Sequence, residues 1–331
     1  MMKNKLLGAF RSIKKETLNE TEEKKLFVHI PKTAGTSFRH ALDEFGGACR
    51  DYGKNSEETS LLIKEKIYIN KDEFLAYETF LASNYQWLCG HFSVSKYLYW
   101  FLVRDVVIFL RNPIEQLISH YNHVVSHQGY TKSFDVFCTR PLAHDFQSTT
   151  LDGFPFELLG VVGITERYNE SLDVLNHHFC ATYKSKKVNS SPKKVMKIED
   201  VTEEQEKRLE AQLKNDITLY EKATSLLDSR IKLENAGFEW CHCVANINAN
   251  NVLSGCAFYS RSNDAVEIDL LRNGVLLKQF SATNFYGQYP RAKFPRNRHI
   301  GFRVSLPQNI KDDDLLELVI KCTQQKIKIG G

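Results

Sequence analysis

A short loop of small, hydroxylated and cationic residues could hold a phosphate group. Residues 29–38 read HIPKTAGTSF, and the apolar run Lys25–Ile30 before the loop predicts a buried strand. A helical pattern follows from Ser37 to Phe45, and the N-terminus of a helix offers free N–H groups to an anion. Gly35 lets the backbone pass close to a ligand, and Lys32 adds a full positive charge. The predicted phosphate-binding residues are Lys32, Thr33, Ala34, Gly35, Thr36 and Ser37.

The loop departs from the pattern of nucleoside-triphosphate hydrolases. Their phosphate loop reads GxxxxGK[ST], with the lysine after the last glycine, whereas Lys32 precedes Gly35. Hydrolysis of ATP or GTP is therefore disfavoured, and an ATP-dependent phosphotransferase remains an alternative. A plain strand-to-helix turn without a ligand is the other alternative, and the crowding of a lysine, a glycine and two hydroxyls argues against it.

A second group of residues could bind another anion at the same edge of a sheet. Val106–Leu110 predicts a buried strand, Arg111 follows it directly, and Pro113 suits the first turn of a helix. Ser119 lies eight residues after Arg111, two helical turns along. Ligands of open α/β sheets collect beyond the carboxyl ends of the strands, so Arg111 should point to the same edge as Lys32. We predict that Arg111 and Ser119 bind a second phosphate.

The elements that position these residues indicate an α/β fold. Short apolar strands, including Leu158–Ile164, alternate with amphipathic helices such as the one predicted from Glu166 toward Phe179. This alternation predicts a P-loop-like parallel sheet flanked by helices. A charged helical stretch follows from Glu203 to about Leu233, with a possible restart at Asn215-Asp216.

The pattern changes to short alternating runs after Trp240. Arg272-Asn273-Gly274 is a strong hairpin signal between two of these runs. We predict a C-terminal all-β sandwich, with residues 1–237 as the first domain and residues 238–331 as an accessory domain, and we expect residues 1–237 to fold alone. The predicted strands are Cys243–Ile247, Ala257–Ser260, Val266–Leu271, Val275–Phe280, Gly301–Leu306 and Leu315–Lys321.

Composition and charge narrow the classes of partner. The net charge is +4 over 331 residues, and the one compact basic run, Lys184–Lys194, is interrupted as in a solvated loop. Nucleic acid is therefore not an expected partner. The longest apolar stretch near the N-terminus, Leu6–Phe10, is too short for a transmembrane segment.

Cysteine spacing predicts reduced thiols and no bound metal. The eight cysteines show no repeated CxxC pairing, which is typical of a cytoplasmic protein. Cys241-His242-Cys243 could offer metal ligands, but it lacks the second pair that a zinc site needs.

The two anion-binding segments resemble those of sulfotransferases that use 3′-phosphoadenosine-5′-phosphosulfate (PAPS). HIPKTAGTSF is similar to the loop that binds the 5′-phosphosulfate, and LRNPIEQLISHY is similar to the element whose Arg and Ser bind the 3′-phosphate. The pattern resembles the carbohydrate sulfotransferases of the heparan sulfate 2-O and 6-O types over about residues 25–235. The resemblance implies PAPS as co-substrate and a polysaccharide or glycolipid hydroxyl as acceptor.

Further passages carry the same resemblance more weakly. Cys89–Phe92 resembles the segment with the catalytic base, Gly163–Glu166 the element that closes the nucleotide site, and Asp216–Ala223 the closing helix. Asn112 stands where relatives often have Asp, and the chain shows neither the membrane anchor of Golgi members nor the terminal motif of the phenol and steroid branch. The C-terminal part resembles a β-sandwich appended to bacterial polysaccharide-modifying transferases.

The resemblance implies roles for individual residues. Lys32 would stabilise charge on the leaving 5′-phosphate, and no metal is required because a sulfuryl group carries less charge than a phosphoryl group. His91 is the candidate base for the acceptor hydroxyl, with His120 and His123 as alternatives and Glu115 as a weaker one. A non-catalytic glycan-binding protein is a competing interpretation, and tyrosine or lipid acceptors remain open.

Overall fold

The computed structural model describes residues 24–43, 47–185, 195–311 and 313–329. The N-terminal segment with Leu6–Phe10, and most of the basic run Lys184–Lys194, lie outside the described residues. No helix within the described ranges is long and apolar enough to cross a membrane.

The first part of the chain forms a five-stranded parallel sheet in the order β2-β3-β1-β4-β5. The central strand is buried on both faces: Leu26 and Val28 pack in one apolar cluster, and Phe27 packs in another on the opposite face. Burial on both faces explains why the sequence of the central strand is a continuous apolar run after Lys25. The strands are β1 Lys25–Val28, β2 Ala48–Asp51, β3 Trp87–Gly90, β4 Val106–Leu110 and β5 Val161–Ile164.

Helices cover both faces of this sheet, which confirms the predicted fold class. Asn112 caps α5, since its side chain accepts hydrogen bonds from the N–H groups of Ile114 and Glu115, each at 3.1 Å. An Asn at this position therefore serves the capping role that an Asp would serve. The helices are α1 Gly35–Asp43, α2 Leu61–Ile63, α3 Glu73–Ala82, α4 Val94–Tyr97, α5 Pro113–Gln128, α6 Phe134–Cys138, α7 Phe146–Leu151, α8 Tyr168–Phe179, α9 Glu203–Gln212 and α10 Lys214–Asn235.

The C-terminal part is a β-sandwich, as predicted. Two antiparallel four-stranded sheets, β10-β11-β7-β6 and β13-β12-β8-β9, share one apolar core. Asn273 and Gly274 have φ values of 53° and 79°, as the hairpin turn between β8 and β9 requires. The strands are β6 Cys241–Ile247, β7 Val252–Tyr259, β8 Glu267–Arg272, β9 Val275–Ser281, β10 Asn284–Phe285, β11 His299–Ser305, β12 Leu316–Ile320 and β13 Lys326–Ile327.

The sandwich packs on the edge of the parallel sheet where β4 and β5 begin. The N–H of Val103, just before β4, donates to the carbonyl of Lys293 at 2.9 Å, and the Arg104 guanidinium donates to the carbonyl of Arg261 at 3.0 Å. Trp240 and Phe258 belong to the same apolar cluster as the central strand. A division at residue 237 and independent folding of residues 1–237 remain predictions, and this shared cluster weighs against full independence.

A buried arginine fixes this junction. Arg230 donates to the carbonyls of Gly160 and Leu159 at 3.1 and 3.2 Å, and its guanidinium lies 5.0 Å from the Trp240 ring centroid. His242 Nε2 accepts from the Trp240 indole N–H at 3.2 Å, so Nδ1 carries the proton and donates to the Glu157 carbonyl at 3.0 Å. Side chains of Arg230 and His242 thus donate to three backbone carbonyls in the segment that precedes β5.

Candidate functional site

The loop after β1 is held in a strained backbone shape. Lys32 and Ala34 have φ values of 68° and 62°, a region that residues with side chains rarely adopt. Thr33 is buried, and its hydroxyl donates to the carbonyl of Ile30 at 2.9 Å. The N–H of Ser37 donates back to Ala34 at 3.0 Å, so it is already engaged within the loop. Alternating left- and right-handed residues of this kind turn successive N–H groups into an anion-binding concavity.

Gly35 is required by the close approach of the His29 ring. A Cβ atom at Gly35 would lie 1.9 Å from the His29 imidazole, far inside contact distance. His29 is itself buried, and its Nδ1 lies 3.1 Å from the hydroxyl of Tyr52. The glycine therefore lets the loop after β1 pack directly against His29, which was not among the predicted site residues.

Arg111 contacts the Lys32 loop across adjacent parallel strands. Its Nη1 donates to the carbonyl of Lys32 at 3.3 Å, and its Nη2 pairs with a Glu115 carboxylate oxygen at 3.1 Å. Glu166 is further away, at 3.8 Å from Arg111 Nε. Burial, together with the positive charge of Arg111, lowers the pKa of Lys32. Two cations thus share the carboxyl edge of the sheet.

Two buried side chains hold Arg111 in this position, and the sequence predicted this role for neither of them. The Gln147 side chain accepts from the Arg111 N–H at 2.9 Å and donates to its carbonyl at 2.8 Å. Asp216 in turn accepts from the N–H groups of Gln147 and Ser148 at 3.0 and 2.7 Å. The helix α10 therefore helps to position Arg111 through its hydrogen bonds to α7.

The helix α5 presents a half-buried face beside these cations. Ser119 lies one turn after Glu115, which touches Arg111, and His123 lies one turn after Ser119. Burial lowers the pKa of His120 to about 4 and also lowers that of His123, and in both cases the positive charge of Lys32 contributes. The predicted residues of both anion-binding segments therefore lie in one region.

His91 follows β3 and lies beside the same loop. Its ring centroid is 4.6 Å from those of both His29 and Tyr52, while one side of the residue remains exposed. Desolvation among these rings, with contributions from Arg39 and His120, lowers the pKa of His91 to about 4 despite the opposing charge of Glu58. The imidazole is therefore neutral near pH 7 and can accept a proton.

A polar network fixes the backbone on which His91 stands. The N–H of His91 donates to the Asp51 carbonyl at 3.0 Å, and a Cβ at Gly90 would lie 1.8 Å from that oxygen. The Asp51 carboxylate accepts from Lys96 at 2.6 Å and from Tyr97 at 2.8 Å. Burial alone would raise the pKa of Asp51, but the hydrogen bond from Lys96 lowers it.

No group of three or more His, Cys, Asp or Glu side chains in the described ranges could hold a metal ion. Cys241 and Cys243 pack in the sandwich core, whereas His242 between them faces the Arg230 junction. Alternation along β6 therefore keeps this triplet from converging on one ion.

Comparison with known proteins gives one distant structural similarity. No family model matches the chain, and no curated protein matches it. A sulfotransferase from Alicyclobacillus acidocaldarius is similar over 60% of this chain and 95% of its own, at 18% identity and a TM-score of 0.35. Similarity at this level leaves the functional argument to the geometry of the site.

Proposed function

We propose that the chain is a sulfotransferase that moves a sulfuryl group from PAPS to a hydroxyl of a carbohydrate. The observation that carries this proposal is the contact between Arg111 and the carbonyl of Lys32, at 3.3 Å. It joins the two predicted anion-binding segments at one sheet edge, which suits a nucleotide with phosphates at both its 5′ and 3′ positions.

The Lys32 loop would bind the 5′-phosphosulfate. Its backbone N–H groups and the hydroxyls of Thr36 and Ser37 would hold the phosphate oxygens, while the Lys32 ammonium would neutralise charge that grows on the leaving phosphate. The partly buried position of Lys32 strengthens this interaction, because a charge acts over a lower effective dielectric there.

Arg111 and Ser119 would bind the 3′-phosphate. Glu115 pairs with Arg111 at 3.1 Å, and an i,i+4 ion pair between partly exposed side chains contributes only about 0.3–0.5 kcal/mol. A doubly charged phosphate can therefore displace the carboxylate at little cost. Glu115 would then act as a weak competitor for the nucleotide rather than as a base.

His91 would take the proton of the acceptor. The acceptor oxygen attacks sulfur, the bond between sulfur and the 5′-phosphate oxygen breaks, and the hydroxyl proton passes to the neutral imidazole. The products are a sulfate ester and adenosine 3′,5′-bisphosphate. His120 and His123 are the alternative bases, since both are near Lys32 and both have a lowered pKa.

The proposal of a carbohydrate acceptor rests on the resemblance to polysaccharide sulfotransferases and on the exposed side of His91.

The proposed compartment is a reducing one such as the cytoplasm, since all eight cysteines are free thiols.

The test is transfer of radiolabelled sulfate from PAPS to a panel of polysaccharides, glycolipids and tyrosine peptides. We expect labelled polysaccharide or glycolipid with the native chain and none with Lys32→Ala. Transfer of label to the peptides alone would contradict the carbohydrate assignment. Phosphate transfer from ATP to the same panel would contradict sulfuryl transfer itself.

A further inference from the structure

We propose that the β-sandwich carries a binding site for acidic oligosaccharides, separate from the sulfuryl-transfer site. A groove with a volume of about 510 Å³ runs over one sheet of the sandwich and ends at Pro155 of the first part of the chain. This volume falls within the range of about 300–1,000 Å³ that is typical of ligand sites.

The floor of the groove is the outward face of the sheet β10-β11-β7-β6. Side chains alternate along strands, and Leu253 and Phe302 point into the sandwich core. Their neighbours Ser254, Gly301 and Arg303 therefore line the groove instead. A Cβ at Gly301 would lie 2.9 Å from the Asn284 carbonyl, so the glycine lets β10 approach and form the wall.

The wall is a pre-formed loop rather than a loose one. Arg298 donates through Nε to the carbonyl of Tyr286 at 2.9 Å and through its Nη atoms to the carbonyls of Ala292 at 2.6 Å and Tyr289 at 3.1 Å. The same guanidinium also contacts the carbonyl of Gln288. The hydrogen bonds from this one guanidinium thus fix residues 286–292. A pre-organised site loses less conformational entropy when a ligand binds.

The chemistry of the lining matches a sugar better than a peptide. Phe285 is 64% exposed and offers a flat apolar face to the C–H side of a sugar ring. The amide groups of Asn246 and Gln288 can donate to and accept from hydroxyls, and Ser254 already donates to Asn246 at 3.0 Å, which leaves the Asn246 NH₂ free to point outward.

The charge of the groove lining favours an acidic sugar over a neutral one. Arg303 is exposed on the groove floor, and none of the described residues that line the groove is acidic. A guanidinium binds carboxylate and sulfate groups through paired hydrogen bonds, so uronates and sugar sulfates share the required chemistry.

The sandwich that carries the groove lies at the opposite end of the parallel strands from the proposed sulfuryl-transfer site. The sandwich packs where β4 and β5 begin, whereas Lys32 and Arg111 follow the ends of β1 and β4. The length of a five-residue strand, about 15 Å, separates these two edges. A sugar in the groove would therefore anchor a polymer and leave its reacting hydroxyl to a distant segment.

The test is calorimetric titration of the full chain with defined hexasaccharides. We expect hyaluronan hexasaccharide, which carries carboxylates, to bind at least about tenfold more tightly than neutral maltohexaose, because a hydrogen bond to a charged group is lost with the neutral sugar. Chondroitin 4-sulfate hexasaccharide carries sulfates in addition to carboxylates, so its affinity shows which group the site prefers. Tighter binding than that of hyaluronan identifies sulfate as the preferred group, and equal binding identifies carboxylate. Binding of hexaglutamate as tight as that of hyaluronan would overturn the assignment to a sugar.

Variants place the site. Phe285→Ala and Arg303→Ala should each weaken hyaluronan binding by about tenfold. Phe74→Ala removes a phenylalanine that is 75% exposed on α3, away from the groove, and should change nothing. Lys32→Ala should also leave binding unchanged, which separates this inference from the catalytic proposal. Unchanged affinity in both groove variants, loss of binding in Lys32→Ala, or no binding of either acidic sugar would overturn the proposal.

Discussion

The protonation of His91 gives a quantitative test of its role as the base. Burial beside His29 and Tyr52 lowers the pKa of His91 to about 4, from an ordinary value of about 6.5. At pH 5.5 a histidine with the ordinary pKa is about 10% neutral, whereas one with a pKa of about 4 is about 97% neutral. The two cases therefore differ by about tenfold in the amount of active base at that pH.

The expected sign follows from the form that reacts. Neutral imidazole accepts the proton, so activity that depends on His91 is lost as the pH falls through the pKa of this group in the folded protein. Because His91 stays neutral between pH 7.5 and 5.5, we expect its protonation to change kcat/KM for PAPS little over this range. The ring signals of His91 in an NMR titration should also stay constant over this range, and this measurement requires no assumption about the reaction.

The variant His91→Ala tests the same role by removal. Loss of a general base typically lowers the rate by about 10²–10⁴-fold, so we expect at least a hundredfold fall in the single-turnover rate with little change in affinity for the bisphosphate. His299→Ala, which removes an exposed histidine on β11 of the sandwich, is the matched control. An NMR midpoint near 6.5 would contradict the desolvation of the His91 ring. Near-normal turnover in His91→Ala would exclude His91 as the base and move that role to His120 or His123.

Three further perturbations follow from the geometry. Lys32→Ala should lower both the transfer rate and the affinity for adenosine 3′,5′-bisphosphate, measured on the same preparation; an unchanged affinity would restrict Lys32 to the transition state. Glu115→Gln removes the carboxylate that competes for Arg111, so the affinity for the bisphosphate, measured by calorimetry, should rise about twofold. A fall in this affinity would show that Glu115 supports binding. Residues 1–237 alone should unfold at a lower temperature than the full chain, because truncation exposes the surface that packs on Trp240; an equal melting temperature would show that the sandwich adds no stability to the first part.

Much of the fold could be predicted from local sequence because its central strands are buried on both faces. Val106–Leu110 is predicted and observed with the same bounds, since five consecutive apolar residues leave few alternatives. The strand Ala48–Asp51 was missed because Arg50 and Asp51 resemble a loop sequence. Its strand conformation comes from pairing with β3, where Asp51 lies opposite Gly90, and no local pattern encodes that contact.

The site divides in the same way. The chemistry of Lys32 and Arg111 could be predicted because Arg111 follows β4 directly and Lys32 lies in the short loop after β1. Strand order then determines that the two meet. The roles of Gln147 and Asp216 depend on packing between segments that are 69 residues apart in the chain, so spacing gives no signal for them. His29 was within the quoted motif, but its contact with Gly35 emerges only from the three-dimensional arrangement.

We propose that the site binds a nucleotide with phosphates at both its 5′ and 3′ positions, and calorimetry with two nucleotides tests this proposal. Adenosine 3′,5′-bisphosphate and AMP differ only in the 3′-phosphate assigned to Arg111 and Ser119. Loss of a hydrogen bond to a charged group costs about 1.5–3 kcal/mol, so AMP should bind about 10- to 150-fold more weakly to the native chain. The difference should shrink toward unity in Arg111→Gln. Equal affinity of the native chain for the two nucleotides would exclude a 3′-phosphate site at Arg111 and Ser119.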